Sequence, residues 1–361
     1  MAHSFLQYED SLMKNTITLF LLALCIGSSA GAQNADRKIV YPEHYWGDAD
    51  LYLDKQHEAL LSHVNVVLKK HPPTLPAHPG RKSALHMIDA VLHDVKAPER
   101  NSVQTFFHGR MKLALAELAE TEVDTGAVIW KLYDHGFIVR TKSVTIAFDL
   151  IRGHSAKADG FAVSDELMEK IVVECDVLFI SHHHGDHADE TVVGMFLAQG
   201  KPVAAPSNIL ADKPIHAKIT HLERTPHVKQ KIPLKNSGLS LDVVTYPGHQ
   251  GDLENNVSLV FTPEGMSFCH TGDQANDGDF AWIDEVRKHH KVDILMPNCW
   301  TTDMVRLAEG FNPAVVITGH ENELGHTIDH REPFWLTYRR FPTDKYPLML
   351  MAWGESFRYE P

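Results

Sequence analysis

Four potential metal ligands lie within six residues of one another, in the pattern His-x-His-x-Asp-His that spans residues 182–187. They are His182, His184, Asp186 and His187. The apolar residues 172–180 before this pattern predict a buried strand, and residues 191–197 after it predict a helix. A loop held between a strand and a helix presents imidazole and carboxylate groups from fixed backbone. Because divalent transition metals bind this combination of ligands, the pattern predicts a metal site.

Three later segments each place a further candidate ligand at or near the end of a predicted strand. The candidates are His249, Asp273 and His320, and the predicted strands are residues 239–245, 266–270 and 314–318. Each candidate directly follows a glycine, which lets the backbone turn sharply towards a bound ion. The chain has 25 histidines, so one histidine after a strand is weak evidence by itself. Together, and in this order after the first pattern, the three candidates indicate one composite metal site.

These motifs resemble those of the metallo-β-lactamase-fold hydrolase superfamily. That family carries a strand-end Asp, the His-x-His-x-Asp-His motif, a His, an Asp and a His, and Asp149 occupies the first of these positions here. The resemblance covers about residues 127–340 and implies an αββα sandwich with metals at one edge. Residues 248–274 are similar to the branch that contains L-ascorbate-6-phosphate lactonase.

The resemblance implies two divalent metal ions, which we expect to be zinc, with manganese as the alternative. It assigns three ligands to the first ion: His182, His184 and His249. It assigns three to the second: Asp186, His187 and His320. Asp273 would bridge the ions, so Asp186 and Asp273 are the expected catalytic residues, acting with a metal-bridging hydroxide that attacks a carbonyl or phosphorus centre. Asp149 would orient a ligand histidine or the Asp186 loop from behind.

The stretch after His320 leaves the last ligand open between His320 and His326. Residues 321–330 are longer than the short turn expected there, and they add His326 and His330. These additional histidines are either an alternative ligand or residues at the rim of the site.

Candidate substrate-binding residues follow two of the predicted strands. Arg152 comes soon after Asp149 and could meet an anionic group, while Asn298 and Trp300 follow the strand predicted at residues 293–296. Placement in the core or on the surface is the alternative for each of them. The sequence names no substrate.

Three functional hypotheses remain open. The leading one is a secreted dinuclear hydrolase acting on a lactone, a phosphodiester or another ester-like bond. The second is a mononuclear iron enzyme of the same fold that consumes oxygen, like a persulfide dioxygenase, and the third is a non-catalytic metal-binding surface protein. The complete set of second-metal ligands favours the first hypothesis.

The composition and net charge limit the classes of partner that the protein is expected to bind. The chain has 361 residues, of which 43% are apolar and 22% charged, as in ordinary globular proteins. A formal net charge of −13 without a basic run argues against nucleic acid or an anionic membrane as the main partner. We therefore expect a small-molecule substrate.

The first 32 residues predict a secretory signal peptide. Residues 16–26 are an apolar run of signal-peptide length, and residues 30–32 form an A-x-A cleavage pattern. A buried helix is the alternative. The interpretation predicts secretion, into a bacterial periplasm, and no membrane association after cleavage.

The chain is predicted to be α/β, or α+β with layered sheets, in two parts after the signal. Residues 33–122 predict a helical extension, with helices near residues 60–68, from a cap at Ser83, and near residues 102–120. Residues 123–361 predict the catalytic domain. The extension could cover the mouth of the site or form a dimer face, so a homo-oligomer stays an open alternative.

Overall fold

The structure is a computed structural model that describes residues 47–153, 160–235, 237–342 and 345–361. The predicted signal peptide at residues 1–32 and the first part of the predicted extension lie outside these ranges. The chain divides into two units between Tyr52 and Leu53, and the second unit, Leu53–Pro361, contains both sheets and the candidate site. In the part of the chain that is described, no helix combines the length and apolar character needed to cross a membrane.

Two mixed sheets form the centre of the molecule. The first sheet has the strand order β13-β1-β2-β3-β4-β5. Its strands are β1 (Ala127–Lys131), β2 (Phe137–Arg140), β3 (Thr145–Phe148), β4 (Val177–Phe179), β5 (Val203–Ala204) and β13 (Glu355–Tyr359). The strands β3, β4 and β5 are parallel, and the other pairs in this sheet are antiparallel.

The second sheet has the strand order β12-β11-β10-β9-β8-β7-β6. Its strands are β6 (Gln230–Leu234), β7 (Leu239–Gln250), β8 (Leu253–Phe261), β9 (Ser267–His270), β10 (Ile294–Met296), β11 (Val315–Ile317) and β12 (Leu348–Met349). Strands β9 to β12 run parallel, so their carboxyl ends lie at one edge of the sheet.

Helices cover the sheets. The first three form the helical extension: α1 (Ala49–Lys70), α2 (Pro79–Leu92) and α3 (Asn101–Glu120). The others are α4 (Asp165–Val173), α5 (Glu190–Ala198), α6 (Phe280–Ile283), α7 (Val286–His289), α8 (Met304–Phe311) and α9 (Phe334–Arg340). Short 3-10 helices span Ala97–Glu99, Pro214–Lys218, Asp277–Asp279 and Ile328–His330.

The alternation of side chains along the strands creates two apolar layers. On β1, Ile129 points into a cluster between the two sheets, whereas Val128 and Trp130 join the cluster formed with the helices. Successive residues of a strand face opposite sides, so a strand buried on both faces reads as a continuous apolar run. The layered α/β sandwich predicted from the sequence is confirmed.

Two buried arginines attach the helical extension to β13 and to the turn before it. Arg81 on α2 makes a two-pronged pair with Glu355, with Nη1–Oε1 and Nη2–Oε2 distances of 2.8 and 2.7 Å. Arg110 on α3 donates from Nε to the carbonyl oxygen of Trp353 at 2.6 Å. Both arginines are buried, so these contacts are shielded from water.

Some local expectations are wrong. Helix α2 does not begin at Ser83, because Pro79 occupies its first turn and the Nδ1 atom of His78 accepts from the backbone N–H of Gly80. The apolar residues 172–180 are not one strand: Val172 and Val173 end α4, and only Val177–Phe179 pair in a sheet. His249 lies inside the long strand β7, not after a strand that ends at residue 245.

Candidate metal centre

The candidate ligands converge where the parallel strands of both sheets end. Asp149 directly follows β3, and the His182–His187 loop follows β4 after two residues. Asp273 and His320 each follow a strand of the second sheet, β9 and β11, by three residues. The carboxyl ends of neighbouring parallel strands meet at one edge, so four segments distant in sequence deliver side chains to one place.

Four of these side chains form a tight buried group. The Nε2 atom of His187 lies 3.4 Å from Oδ2 of Asp186 and 3.2 Å from Oδ1 of Asp273. The Nε2 atom of His320 lies 3.5 Å from Oδ2 of Asp186 and 3.2 Å from Oδ1 of Asp273. Two imidazoles and two carboxylates therefore direct their ligand atoms at one small volume.

The two carboxylate oxygens of Asp273 face different groups of histidines. Its Oδ1 atom faces His187 and His320, whereas its Oδ2 atom lies 3.6 Å from Nε2 of His182. Ligand atoms of His182, His184 and Asp273 all lie within 4.8 Å of one another. The carboxylate of Asp273 therefore stands between two sets of imidazoles.

Carboxylates behind the histidines determine which ring nitrogen is available for a metal. The Nδ1 atom of His187 lies 2.7 Å from Oδ2 of Asp149, and that of His320 lies 3.2 Å from Oδ1 of Asp134. A carboxylate bonded to Nδ1, as at His187, favours the Nδ1–H tautomer and leaves a lone pair on Nε2. The Nε2 atoms of His187 and His320 are only 3.2 Å apart, so both can face one small cation, either a proton or a metal ion.

His249 stands at the rim of this group and is oriented in the same way. Its Nδ1 atom lies 2.7 Å from Oδ1 of Asp279, whose other oxygen accepts from the His249 backbone N–H at 2.8 Å. Its carbonyl oxygen accepts from Ala275, two residues after Asp273. The side chain is 37% exposed, and among the residues described it does not belong to the group formed by His182, His184 and Asp273.

Unpartnered polar atoms show that the residues fit a metal. Among the residues described, the Nε2 atom of His182 and the Oδ1 atom of Asp273 are buried without a hydrogen-bond partner. Buried polar groups are normally bonded, and a bound cation would supply the partner that both atoms lack. Imidazole nitrogens and carboxylate oxygens are ligands for a divalent ion such as zinc or manganese, so the donor set matches one.

The electrostatics of the group favour cations. Burial alone would raise the pKa of Asp273, but the neighbouring His187 and His320 outweigh it and hold that pKa well below its ordinary value. Burial would lower the pKa values of these two histidines, but the surrounding carboxylates raise them well above the ordinary value. Burial lowers the pKa of His182 to about 3, so its imidazole is neutral and able to coordinate.

Two glycines allow the loops to approach so closely. Gly272 has a φ of +51°, and a Cβ atom there would lie 2.1 Å from Oδ1 of Asn255 and 2.4 Å from Cβ of Ser181. A Cβ atom on Gly319 would lie 2.2 Å from Cδ2 of His135. Neither position has room for a side chain, so the glycines before Asp273 and His320 are sterically required.

The candidate substrate residues occupy different environments. Arg152 pairs with Asp189, which caps α5, and with Asp165, at 2.8 and 2.7 Å. Asn298 is buried, and its amide donates to the carbonyl oxygens of Gly272 and Gln274, so it supports the Asp273 loop. The structure thus places both residues in contacts within the protein.

Trp300 and His326 flank His320 and line a cavity. Their ring centroids lie 5.5 and 5.7 Å from that of His320. The cavity measures about 600 Å³ and reaches Gln250, the neighbour of His249. The Nδ1 atom of His326 lies 2.6 Å from Oε2 of Glu323, and ligand atoms of His320, Glu323 and His326 lie within 4.8 Å of one another. The tight buried group therefore contains His320, and His326 lies on its cavity side.

Sequence reasoning missed three acidic residues at the site: Asp134, Asp279 and Glu323. Asp134 belongs to an Asp-His-Gly stretch typical of a hairpin turn, and its positive φ of 57° fits a turn. Asp134 and His320 become neighbours only in the folded chain, where β11 carries His320 to the turn that contains Asp134. Asp279 and Glu323 each lie within six residues of a predicted ligand, and that proximity was the available signal.

Comparisons with known proteins agree with this geometry. The chain belongs to the β-lactamase superfamily, because the model of the Beta-lactamase superfamily domain matches residues 131–320, slightly more than half of the chain. No curated protein sequence matches the chain. The superfamily and the clustered ligand groups support a metal-dependent hydrolase that uses divalent metal.

Solved structures resemble the chain at low identity. Igni18, a metallo hydrolase from the archaeon Ignicoccus hospitalis, is 16% identical with a TM-score of 0.50, covering 65% of this chain and 99% of its own. A possible metal-dependent hydrolase from Veillonella parvula is 11% identical with a TM-score of 0.48, covering 65% and 100%. CmlA, a diiron β-hydroxylase from Streptomyces venezuelae, is 13% identical with a TM-score of 0.46, covering 66% and 55%. At such identities, the resemblance to Igni18 shows the fold.

Proposed function

We propose that the protein is a dinuclear metal-dependent hydrolase that cleaves a lactone, a phosphodiester or another ester-like bond. The observation that carries the proposal is the position of Asp273, whose two oxygens face His182 on one side and His187 and His320 on the other. A carboxylate that bridges two ions is useful where both ions act on one bond, as in two-metal hydrolytic sites.

The chain supplies two sets of ligands for these ions. His182, His184 and His249 would hold the first ion, and Asp186, His187 and His320 the second. Bound divalent ions would supply an activated water as nucleophile and a Lewis acid for the developing negative charge; zinc is the first candidate and manganese the second. Asp149 and Asp279 bond the Nδ1 atoms of His187 and His249, and Asp134 lies 3.2 Å from Nδ1 of His320, so the Nε2 atoms of these histidines would be free for the ions.

The cavity beside His320 offers space for a small substrate. Its volume of about 600 Å³ is within the usual range for small-molecule sites. It extends from Gln250, beside His249, to Trp300, whose ring lies 5.5 Å from that of His320, so it adjoins one proposed ligand from each set. Similarity to the ascorbate-6-phosphate lactonase branch makes lactones the first compounds to assay.

Activity of four proteins tests the proposal: wild type, His184→Ala, Asp273→Ala and His183→Ala. His183 is exposed beside the ligands, and its Nδ1 atom has only a 3.4 Å contact with Asn208, so it controls for the loss of an imidazole from this loop. With zinc or manganese present and lactone, phosphodiester and carboxylic ester substrates, wild type and His183→Ala should hydrolyse at least one class. His184→Ala and Asp273→Ala should lose more than about a hundredfold in turnover while keeping the circular dichroism of the wild type. Full turnover in both ligand variants would contradict the proposal.

We also propose that residues 1–32 direct secretion, with a bacterial periplasm as the destination. The apolar run and A-x-A pattern support this. Expression of the full chain in a Gram-negative host, followed by fractionation and N-terminal sequencing, should find a chain beginning near residue 33 in the periplasm. An unprocessed chain in the cytoplasm would contradict it.

A further inference from the structure

The cavity next to the proposed metal centre has one side made by a single stretch of chain, residues 321–333, which we name the rim segment. Of the eight residues that line the cavity, five belong to it: Gly325, His326, Thr327, His330 and Glu332. The segment starts directly after His320 and ends at Pro333, directly before α9. Its position therefore sets the width of the cavity.

Helix α2 of the helical extension supplies a buried carboxylate to this segment. The Oδ1 atom of Asp89 accepts from the side-chain amide of Asn322 at 2.9 Å and from the backbone N–H of Phe334 at 2.8 Å. Its Oδ2 atom accepts from the backbone N–H of Trp335 at 3.0 Å. Asp89 thus caps α9 from another helix and holds the rim segment near both of its ends.

The end of α2 makes a second set of contacts. The Nε2 atom of His93 lies 2.7 Å from the carbonyl oxygen of Arg331, while its Nδ1 atom lies 2.9 Å from that of Asp89. The buried guanidinium of Arg331 donates to the carbonyl oxygens of Leu92 and Asp94 at the end of the helix. The same guanidinium donates to the carbonyl oxygen of His326 at 3.0 Å, which reaches the cavity wall itself.

The sandwich holds mainly the beginning of the rim segment. Lys131 on β1 pairs with Glu321, with both side chains fully buried, and the hydroxyl of Tyr133 accepts from the backbone N–H of Leu324 at 3.0 Å. The backbone of Asn322 donates to the carbonyl oxygen of Glu332 at 2.8 Å and closes the base of the loop. Beyond Leu324, the segment is held by the end of α2, by its own Arg331, and by an ion pair of 3.3 Å between Glu332 and Arg340 on α9.

We propose that the end of α2 positions the rim segment and so determines which substrates fit the cavity. Asp89, His93 and Arg331 are positioning residues, and the ligands of the metals lie elsewhere. This inference rests on the proposed function for its effect on substrate selection. The mechanical part, that α2 holds the rim segment in place, stands independently of any activity.

The test compares Asp89→Ala with wild type by hydrogen–deuterium exchange, metal content and ester kinetics. Exchange of the amides in residues 321–335 should accelerate at least about tenfold, because three hydrogen bonds to Asp89 are lost. Metal content should stay unchanged. With p-nitrophenyl acetate, p-nitrophenyl octanoate and bis(p-nitrophenyl) phosphate as probes, KM should change about tenfold and unequally between small and large probes, while kcat changes less than about threefold.

A control variant separates positioning from general loss of stability. Glu355→Gln weakens the attachment of α2 at its other end, through Arg81, far along the helix from Asp89. It should lower the melting temperature without changing exchange in residues 321–335 or the ratio of KM values between probes. If Asp89→Ala does not fold, Asp89→Asn and Arg331→Met replace it. In these variants, exchange in residues 321–335 and the KM values should change in the same direction but by smaller factors.

The outcomes are distinct. Unchanged exchange in residues 321–335 in a folded Asp89 variant overturns the positioning claim, and so does an equal change in the Glu355→Gln control. Accelerated exchange with an unchanged ratio of KM values between probes overturns the claim about substrate selection. If wild type hydrolyses none of the probes with metal bound, the proposed function loses its support, while exchange still decides whether α2 holds the rim segment.

Discussion

Replacing Asp149 with asparagine should weaken the binding of one metal ion while the protein stays folded. Asp149 is fully buried and makes three short contacts: Oδ1 with the backbone N–H of Ser181 at 2.7 Å, and Oδ2 with the Ser181 hydroxyl at 2.6 Å and with Nδ1 of His187 at 2.7 Å. In Asp149→Asn the remaining oxygen can still accept from Ser181. The amide group would then face the Nδ1–H of His187, and two donors repel.

The imidazole can relieve this repulsion by moving its proton to Nε2, the atom that the metal requires. Outer partners of metal-bound histidines contribute about 10- to 100-fold in metal affinity, which is ~1.4 to 2.8 kcal/mol. We expect this loss at the ion bound by His187, with the first ion affected less. Titration of metal-free protein with zinc against a chromophoric chelator would resolve the two sites.

Asp293→Asn is a matched control. Asp293 is also buried, and its Oδ2 atom accepts from the backbone N–H of Ser267 at 2.9 Å and from its hydroxyl at 3.1 Å. It precedes β10 and therefore lies at the opposite end of the strand from the candidate site. Equal zinc affinities in wild type and Asp149→Asn, or equal losses in the two variants, would refute the tautomer mechanism.

Three further predictions concern stability and metal. Lys131→Met should destabilise the fold by roughly 3–5 kcal/mol in urea unfolding, because it leaves Glu321 buried without its partner; the double variant with Glu321→Leu should recover much of that loss. Gly272→Ala should yield a protein that has lost zinc affinity, since the new Cβ atom would collide with Asn255 and Ser181, and normal affinity would show that the loop relaxes at no cost. Removal of metal with a chelator should lower the melting temperature, and re-addition of zinc should restore it. The reason is that an ion that binds only the folded state stabilises that state. A melting temperature that does not respond to either treatment would contradict the presence of a bound ion.

The sequence was sufficient for the parts of the site that depend on local spacing. The His182–His187 loop has its ligands within six residues, and each later ligand follows a glycine, so the pattern is visible without coordinates. Short apolar runs mixed with helical patterns likewise indicated an α/β or α+β fold with layered sheets. The αββα sandwich came from the resemblance of the motifs to the metallo-β-lactamase fold.

Features that depend on tertiary contact could not be predicted in this way. Asp134 has a local pattern typical of a turn, and only the position of β11 gives it His320 as a neighbour. The apolar run at residues 172–180 is equally compatible with a helix end and with a strand. In the folded chain its first two residues end α4, and Val177–Phe179 form β4. The contacts of Asp89 with Phe334 and Trp335 join residues about 245 positions apart, which no local pattern reports.

The central claim is that two ions share Asp273, and metal stoichiometry tests it most directly. Wild type and Asp273→Ala would be purified without added metal and measured by inductively coupled plasma mass spectrometry. We expect about two zinc or manganese ions per wild-type chain and fewer in the variant, because the carboxylate faces both sets of histidines. One iron per chain together with oxygen uptake, or no tightly bound metal after incubation with zinc, would contradict the claim.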